Sequence, residues 1–334
     1  MPARAAALDS RAAARFCRGM ARPLPRILST PTARGAASIL FGMVLLGFTD
    51  NFVRVIAAES GLWQFHALRS ALAVPLMVVA ALLLGMRLWP RRWKAVAVRG
   101  GVQAASMLIY FGALAFMPIA QVAAGLFTAP IFVLLFAAVF FGHRIGPRRL
   151  AAAGIGFLGI LVMLRPDPAS LDLATFVPVA AGALYGLSNL LTREWCAEEP
   201  VAALLLSFFL ILGLAGVVGS LAVAGLPAAE GAPSAADFLV RPWGPLSGPA
   251  LLVIVLQAVG SLLAVGCIAW GYQSGETSYL TVFEYFFLAT ASFWAWAIWG
   301  ETLDALGYLG IALIVGSGLM IALSAAPGTS AARL

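Results

Sequence analysis

An all-helical integral membrane protein, with ten transmembrane helices in two inverted five-helix repeats and both termini in the cytoplasm, is the fold class this sequence predicts. Three observations carry it. Of 334 residues, 62% are hydrophobic and only 10% charged, where globular domains are about a quarter charged, and the mean hydropathy is +0.97. Ten apolar stretches follow one another, each near the roughly 17 to 25 residues that a bilayer crossing needs. Finally, a sequence pattern recurs after an odd number of those crossings.

The stretches run over 36–57, 62–85, 99–117, 119–141, 149–165, 173–193, 201–226, 249–271, 277–299 and 305–324. Each is expected to be a helix, because lipid offers a backbone N–H or C=O no partner outside its own segment. Orientation follows from the 21 Lys and Arg, since basic loops stay in the cytoplasm. With the N-terminus inside, seven lie in the leading tail, five at Arg87, Arg91, Arg92, Lys94 and Arg99, three at Arg144, Arg148 and Arg149, and one each at Arg193 and Arg333. That makes 17 inside, against Arg165 and Arg241 outside and Arg54 and Arg69 within helices.

Residues 1–34 differ in kind: seven arginines, Asp9 as the one acid, and mostly Ala, Ser and Pro among the rest. No core can form from that composition. A transit peptide shares it, but no long apolar segment with a cleavage site marks a secretory signal. The segment is read as a disordered cytoplasmic tail. The expected units are this tail, a first repeat over 35–166, a second over 167–325 and a short tail over 326–334.

The repeat is visible in GFTDNFVR (47–54) and GLSNLLTR (186–193), which match Gly47 with Gly186, Thr49 with Ser188, Asp50 with Asn189 and Arg54 with Arg193 at an offset of 139. FFGHRIG (140–146) pairs with IWGETLD (298–304) at 158, and GIGFLGILVML pairs with GIALIVGSGLMI at 156 to 159. An enlarged loop over 227–248 accounts for the growth in offset. Five helices per copy is odd, so the second copy enters the membrane from the other side. Inverted repeats are characteristic of secondary transporters, whose substrate site lies near the midplane between the copies.

YFGALAFMPIAQVAAGLFTAPIFVLLFAAVFFGHRI, SNLLTRE and TVFEYFFLATASFWAWAIWGETL together resemble the EamA-type members of the drug/metabolite transporter superfamily. The resemblance covers nearly all of 35–324. It implies ten-helix carriers of two five-helix repeats. The Phe283–Tyr285 FEY variant is similar to a subgroup of S-adenosylmethionine-type or general metabolite carriers. His143 stands where that family commonly has Glu after the closing glycine.

Ionisable residues inside transmembrane helices cost about 2.5 to 3.5 kcal/mol each on insertion scales and usually face a cavity or one another. Glu284, about eight residues or roughly 12 Å into the ninth helix, is the foremost candidate for binding substrate or carrying a proton. Its neighbours Phe283 and Tyr285 would suit a cationic amine. Asp50 lies about 14 residues, roughly 21 Å, from the inner end of the first helix. It either lines the substrate path or neutralises Arg54 at i,i+4 while Arg54 reaches the outer surface. His66 and Arg69 share a face of the second helix at i,i+3, with Arg69 a carboxylate ligand and His66 a proton carrier if it faces the cavity. Tyr110, Asn189 and Gln121 are weaker candidates, as are Gln103, Tyr185 and Gln257, each also suited to a helix–helix hydrogen bond.

GIGFLG (154–159) fits G-x-G-x-x-G, but it lies within an apolar span with no preceding strand, so close helix packing explains it. No P-loop, HExxH or nucleophile elbow occurs. Cys17, Cys196 and Cys267 form no CxxC pair, and His66 and His143 build no metal site unaided. The expected partners are therefore a small-molecule substrate, the lipid bilayer and coupling protons. Neither a cofactor, a metal, nucleic acid nor an enzymatic reaction is indicated, and oligomeric state has no signature.

Two function classes remain. One is a secondary active transporter in the cytoplasmic membrane. Its cargo is an amino-acid-like or S-adenosylmethionine-like zwitterion if Arg69 and Glu284 act together, or a hydrophobic or quaternary cation if the carboxylate and aromatics act alone. The other is a non-transport membrane protein on the same scaffold.

Overall fold

A computed structural model of the protein describes residues 30–113, 117, 119–165, 174, 176–225 and 237–324. Most of the expected leading tail, the closing tail over 326–334 and the Gln121 side chain lie outside them. Every regular element among the described residues is helical.

Helix α1 is Pro31–Asp50, α2 Val53–Glu59, α3 Leu62–Leu84, α4 Trp93–Ala113, α5 Ile119–Leu126, α6 Ala129–Phe141 and α7 Pro147–Leu164. Then come α8 Phe176–Glu194, α9 Val201–Val223, the short α10 Asp237–Val240, α11 Gly248–Ser274, α12 Thr277–Leu280, α13 Phe286–Trp299 and α14 Ala305–Ser324. Seven helical stretches among the described residues are long and apolar enough to cross a membrane: Pro31–Asp50, Leu62–Leu84, Val122–Phe141, Pro147–Leu164, Val201–Val223, Gly248–Ser274 and Thr277–Trp299. Helices α4, α8 and α14 occupy the remaining expected segments.

Helix ends follow local chemistry. Thr30 caps α1 by accepting the Ala33 N–H at 3.2 Å, with Pro31 at the first helical position, where its missing N–H is no loss. Gly142 and Gly300 close α6 and α13 at φ +67° and +71°, a conformation that a Cβ strains.

Three expected continuous helices are broken. The first stops at Asp50 and resumes at Val53, because the Asn51 amide turns back to the Gly47 carbonyl at 2.6 Å and across to the Ala291 carbonyl at 3.0 Å, competing with helical bonding. The fourth breaks between Leu126 and Ala129, where Thr128 Oγ1 bonds the Gly125 carbonyl at 2.6 Å. The ninth passes through a 3-10 turn over Thr281–Tyr285.

Helix α1 packs on α11 and α13, and α8 packs on α4 and on α5 and α6. Helix α9 packs on α3 and α4, α3 also on α11, and α7 on α14. Large apolar side chains such as Leu83, Phe140, Leu221 and Leu252 face outward at 81%, 64%, 72% and 70% exposure, as a lipid-facing surface requires.

Polar contacts gather at the two ends of the bundle. At one, Arg54 pairs with Glu301 at 2.9 Å, Arg165 with Asp304, and Glu59 accepts from the Ser247 N–H and hydroxyl at 2.7 Å each. At the other, Arg149 pairs with Glu276, His143 Nε2 lies 3.5 Å from Glu194, and Glu199 accepts the Arg91 and Arg92 N–H groups at 2.7 and 2.8 Å. Arg99, expected among the bases of the inner loop, is instead wholly buried within α4. Its helix begins at Trp93 and is covered by the 195–200 turn, where Gln273 donates to the Cys196 and Glu199 carbonyls at 2.7 and 2.8 Å.

Candidate functional site

A central cavity of about 860 Å³, its open mouth included, lies among α1, α3, α4, the α5–α6 break, α8, α9, α11 and the 3-10 turn. Its lining is largely apolar and aromatic, including Tyr110, Phe111, Phe127, Tyr185, Phe208 and Phe287. The polar residues in its wall are Asp50, Arg69, Gln103, Gln257, Ser261 and Glu284. A mainly apolar hollow with few placed polar groups is how small-molecule sites are generally built.

Glu284 is 3% exposed and stands on the 3-10 turn. Its Oε1 accepts from the Asn189 amide at 2.9 Å and the Tyr185 hydroxyl at 3.2 Å. The unwound turn aims it inward, whereas its neighbours point elsewhere. Tyr285 donates to the Ala153 carbonyl at 3.2 Å, and Phe283 packs in the core against Phe286. Neither lines the cavity, so the two rings expected to suit a cationic amine beside Glu284 do not face it. Of the cavity's rings Phe287 follows on the same segment, and Tyr110, Phe111, Phe127, Tyr185 and Phe208 come from elsewhere in the fold.

Asp50 closes α1, with its Oδ1 3.3 Å from the Gln257 amide and 3.5 Å from the Thr49 hydroxyl; the same amide donates to the Thr49 carbonyl at 2.8 Å. The expected Asp50–Arg54 pair does not form. The break at Asn51 removes the continuous turn that would stack them, and Arg54 leaves the cavity for Glu301, its guanidinium 4.3 Å from the Trp299 ring centre.

Arg69 is 5% exposed, its guanidinium 4.9 Å from the Phe65 ring centre. Arginine has no lone pair to offer, so its Nη2, 3.2 Å from His66 Nδ1, is the donor. That leaves His66 neutral, with its proton on Nε2. His66 is fully buried against Phe65 and Phe111 and is absent from the cavity wall. It orients Arg69, so the condition set for a proton-carrying His66, that it face the cavity, is not met. Arg69 Nε has no partner among the described residues.

Asp50, Arg69, Arg99 and Glu284 thus lie inside the bundle, and among the described residues none is in an ion pair. Tyr110 lines the cavity; Asn189 does not, and instead holds Glu284. Gln103, Gln257 and Tyr185 emerge as stronger members than their sequence positions indicated, because each is defined by a partner on another helix. Among the described residues no three His, Cys, Asp or Glu side chains gather as metal ligands would.

A multi-pass helical membrane protein with a charged central cavity is the class these features define. Residues 33–165 match the EamA-like transporter family. The chain is 28% identical over 233 residues to a riboflavin transporter of Rhizobium johnstonii, covering 70% of each chain. It is 26% identical over 290 residues to the pseudopaline exporter CntI of Pseudomonas aeruginosa, covering 81% of this chain and 91% of that one. A solved crystal structure superposes with a TM-score of 0.71 over 87% of this chain and 97% of its own; at 19% identity it speaks for the fold alone.

Proposed function

We propose that the protein is a secondary active transporter that moves a small zwitterionic metabolite, amino-acid-like or S-adenosylmethionine-like, across the cytoplasmic membrane by alternating access. The observation that carries this reading is the cavity itself, with one arginine and two carboxylates in an apolar wall and no direct pairing among them. A buried charge without a counter-ion is costly, and a ligand bearing both signs supplies both counter-ions. Arg69 then seats the carboxylate, and Glu284 and Asp50 seat the amine or carry a proton.

Ten crossings, two inverted repeats over 35–166 and 167–325, and both termini inside belong to the same proposal. Packing supports it. Exchanging each helix for its counterpart five crossings on turns α1–α11 into α8–α4, α1–α13 into α8–α6, and α4–α9 into α11–α3, all of which are in contact. Gly47 and Gly186 are matched contact points: a Cβ would lie 2.8 Å from the Ala291 nitrogen at one and 2.8 Å from the Ala129 carbonyl oxygen at the other. His143 after Gly142 faces Glu194, as Glu301 after Gly300 faces Arg54. Every ion pair named above joins helix ends or loops that the proposed orientation puts on one side.

Uptake into proteoliposomes of radiolabelled amino acids, S-adenosylmethionine, quaternary amines and riboflavin tests the reading. Amino acids or S-adenosylmethionine accumulate if it holds. Quaternary amines alone would favour the cation exporter, riboflavin alone a neutral cargo, and no uptake at all would favour a non-transport role.

A further inference from the structure

Arg99 is buried more completely than any other charged residue named here, and the proposed cavity chemistry leaves it unused. It is the seventh residue of α4 and has no exposed surface. Its Nε donates to Thr192 Oγ1 at 2.8 Å, but Nη1 and Nη2 have no partner among the described residues. Four N–H bonds of a guanidinium are therefore left bare in the interior, where an unmade bond to a charged group is expensive.

Its place in the fold is specific. Gln103, one turn along the same face of α4, lines the cavity. On the other side the 195–200 turn covers it, with Cys196 fully buried and Glu199 fixed to the start of α4. Arg99 is within electrostatic reach of both Cys196 and cavity-lining Tyr185. It thus lies between the cavity and the inner cover.

Helix packing does not explain the charge. At the offset of 158 that pairs the two halves, the counterpart of Arg99 is Gln257. Gln257 reaches Thr49 and Asp50 on α1, as Arg99 reaches Thr192 and accepts from Ser188 on α8. A neutral amide performs the same bridge with its NH2 group engaged. The guanidinium brings surplus donors pointing to a ligand with oxygen acceptors.

We propose that Arg99 is an inner anion seat: when the 195–200 turn lifts from the inner end, Nη1 and Nη2 hold a substrate oxyanion, a carboxylate or phosphate, before it passes Gln103 into the cavity. Planar bidentate binding of such groups is what a guanidinium does best. The seat rests on the transport reading, and its test is separable from that reading.

In a background lacking Cys17, Cys196 and Cys267, Gln103→Cys is exposed in inside-out vesicles to two thiol reagents of similar size, anionic sulfonatoethyl and cationic trimethylammonioethyl methanethiosulfonate. Relative to a free thiol, the anionic reagent should react at least tenfold faster than the cationic one. Arg99→Gln should abolish that preference and Arg99→Lys should keep most of it. Glutarate or inorganic phosphate, whichever slows modification only when Arg99 is present, names the oxyanion. A second measurement needs no change at Arg99: phenylglyoxal should modify Arg99 from the inner face, and the same anion should slow it at least threefold. A charge preference unaltered in Arg99→Gln, or no modification of either residue from the inner face, overturns the seat. Uptake by proteoliposomes without the Arg99-dependent preference defeats the seat alone; the preference without any uptake defeats the transport reading and leaves the seat standing.

Discussion

The Asn189 amide lies 2.9 Å from the Glu284 carboxylate and donates to it across the interface between α8 and the 3-10 turn. In the proposed repeat Asn189 aligns with Asp50, which would give one copy an acid at this depth and the other the donor that holds an acid. Asn189→Ala removes one hydrogen bond to a charged group, worth about 1.5 to 3 kcal/mol. Transport should fall by about tenfold or more, and Asn189→Asp, which sets a second carboxylate beside Glu284, should fall further. Equal activity of the two variants would show that Asn189 does not set the state of Glu284.

The glycines of GIGFLG separate by their surroundings. A Cβ on Gly159 would lie 2.8 Å from the Gly310 carbonyl oxygen, whereas one on Gly154 would meet nothing within 4 Å. Gly159→Val should therefore force α7 from α14 and destabilise by about 1 to 3 kcal/mol, while Gly154→Val leaves the unfolding midpoint in detergent unchanged. Equal midpoints for the two would remove the packing explanation of the motif.

Arg165 holds the Asp304 carboxyl below the ordinary aspartate value of 3.8. A depressed carboxylate stabilises while it is ionised in both states, and the contribution fades as pH falls through its lowered value. The pair is exposed and its contribution small. Asp304→Asn should lower the unfolding midpoint by the same small amount at about pH 7 and pH 5, and the difference should close well below 3.8. A difference that widens on acidification would contradict this.

Trp89 and Trp243 are exposed, at 80% and 53%, in loops that five crossings separate in the proposed orientation. Single cysteines at these positions, in the background without native cysteines, should label from opposite faces of intact cells. Labelling from one face would exclude the inverted arrangement.

The apolar segments were legible because lipid demands length and hydrophobicity together, and Asp50, Arg69 and Glu284 stood out because charge is rare within them. What composition could not show was backbone shape. Asn51 and Thr128 break helices through contacts with Gly47, Ala291 and Gly125, and Glu284 turns inward only because Thr281–Tyr285 is unwound. Partners chosen across the fold were equally hidden: nothing near Arg54 in sequence announces Glu301. Arg99 misled for a physical reason. A base beside a basic loop reads as solvated unless the cover over it, here residues 195–200, is known.

Glu284 is proposed to bind the cationic part of the substrate or to carry a proton. Glu284→Gln keeps its size and much of its hydrogen bonding to Asn189 and Tyr185 while removing the charge. Net uptake of the substrate found in the proteoliposome screen should fall at least about tenfold, about 1.4 kcal/mol, with the melting temperature unchanged within a few degrees. Counterflow measured in the same vesicles divides the two roles: exchange survives if Glu284 carries the proton and is lost if it binds substrate. Full, pH-responsive accumulation by Glu284→Gln would contradict the account.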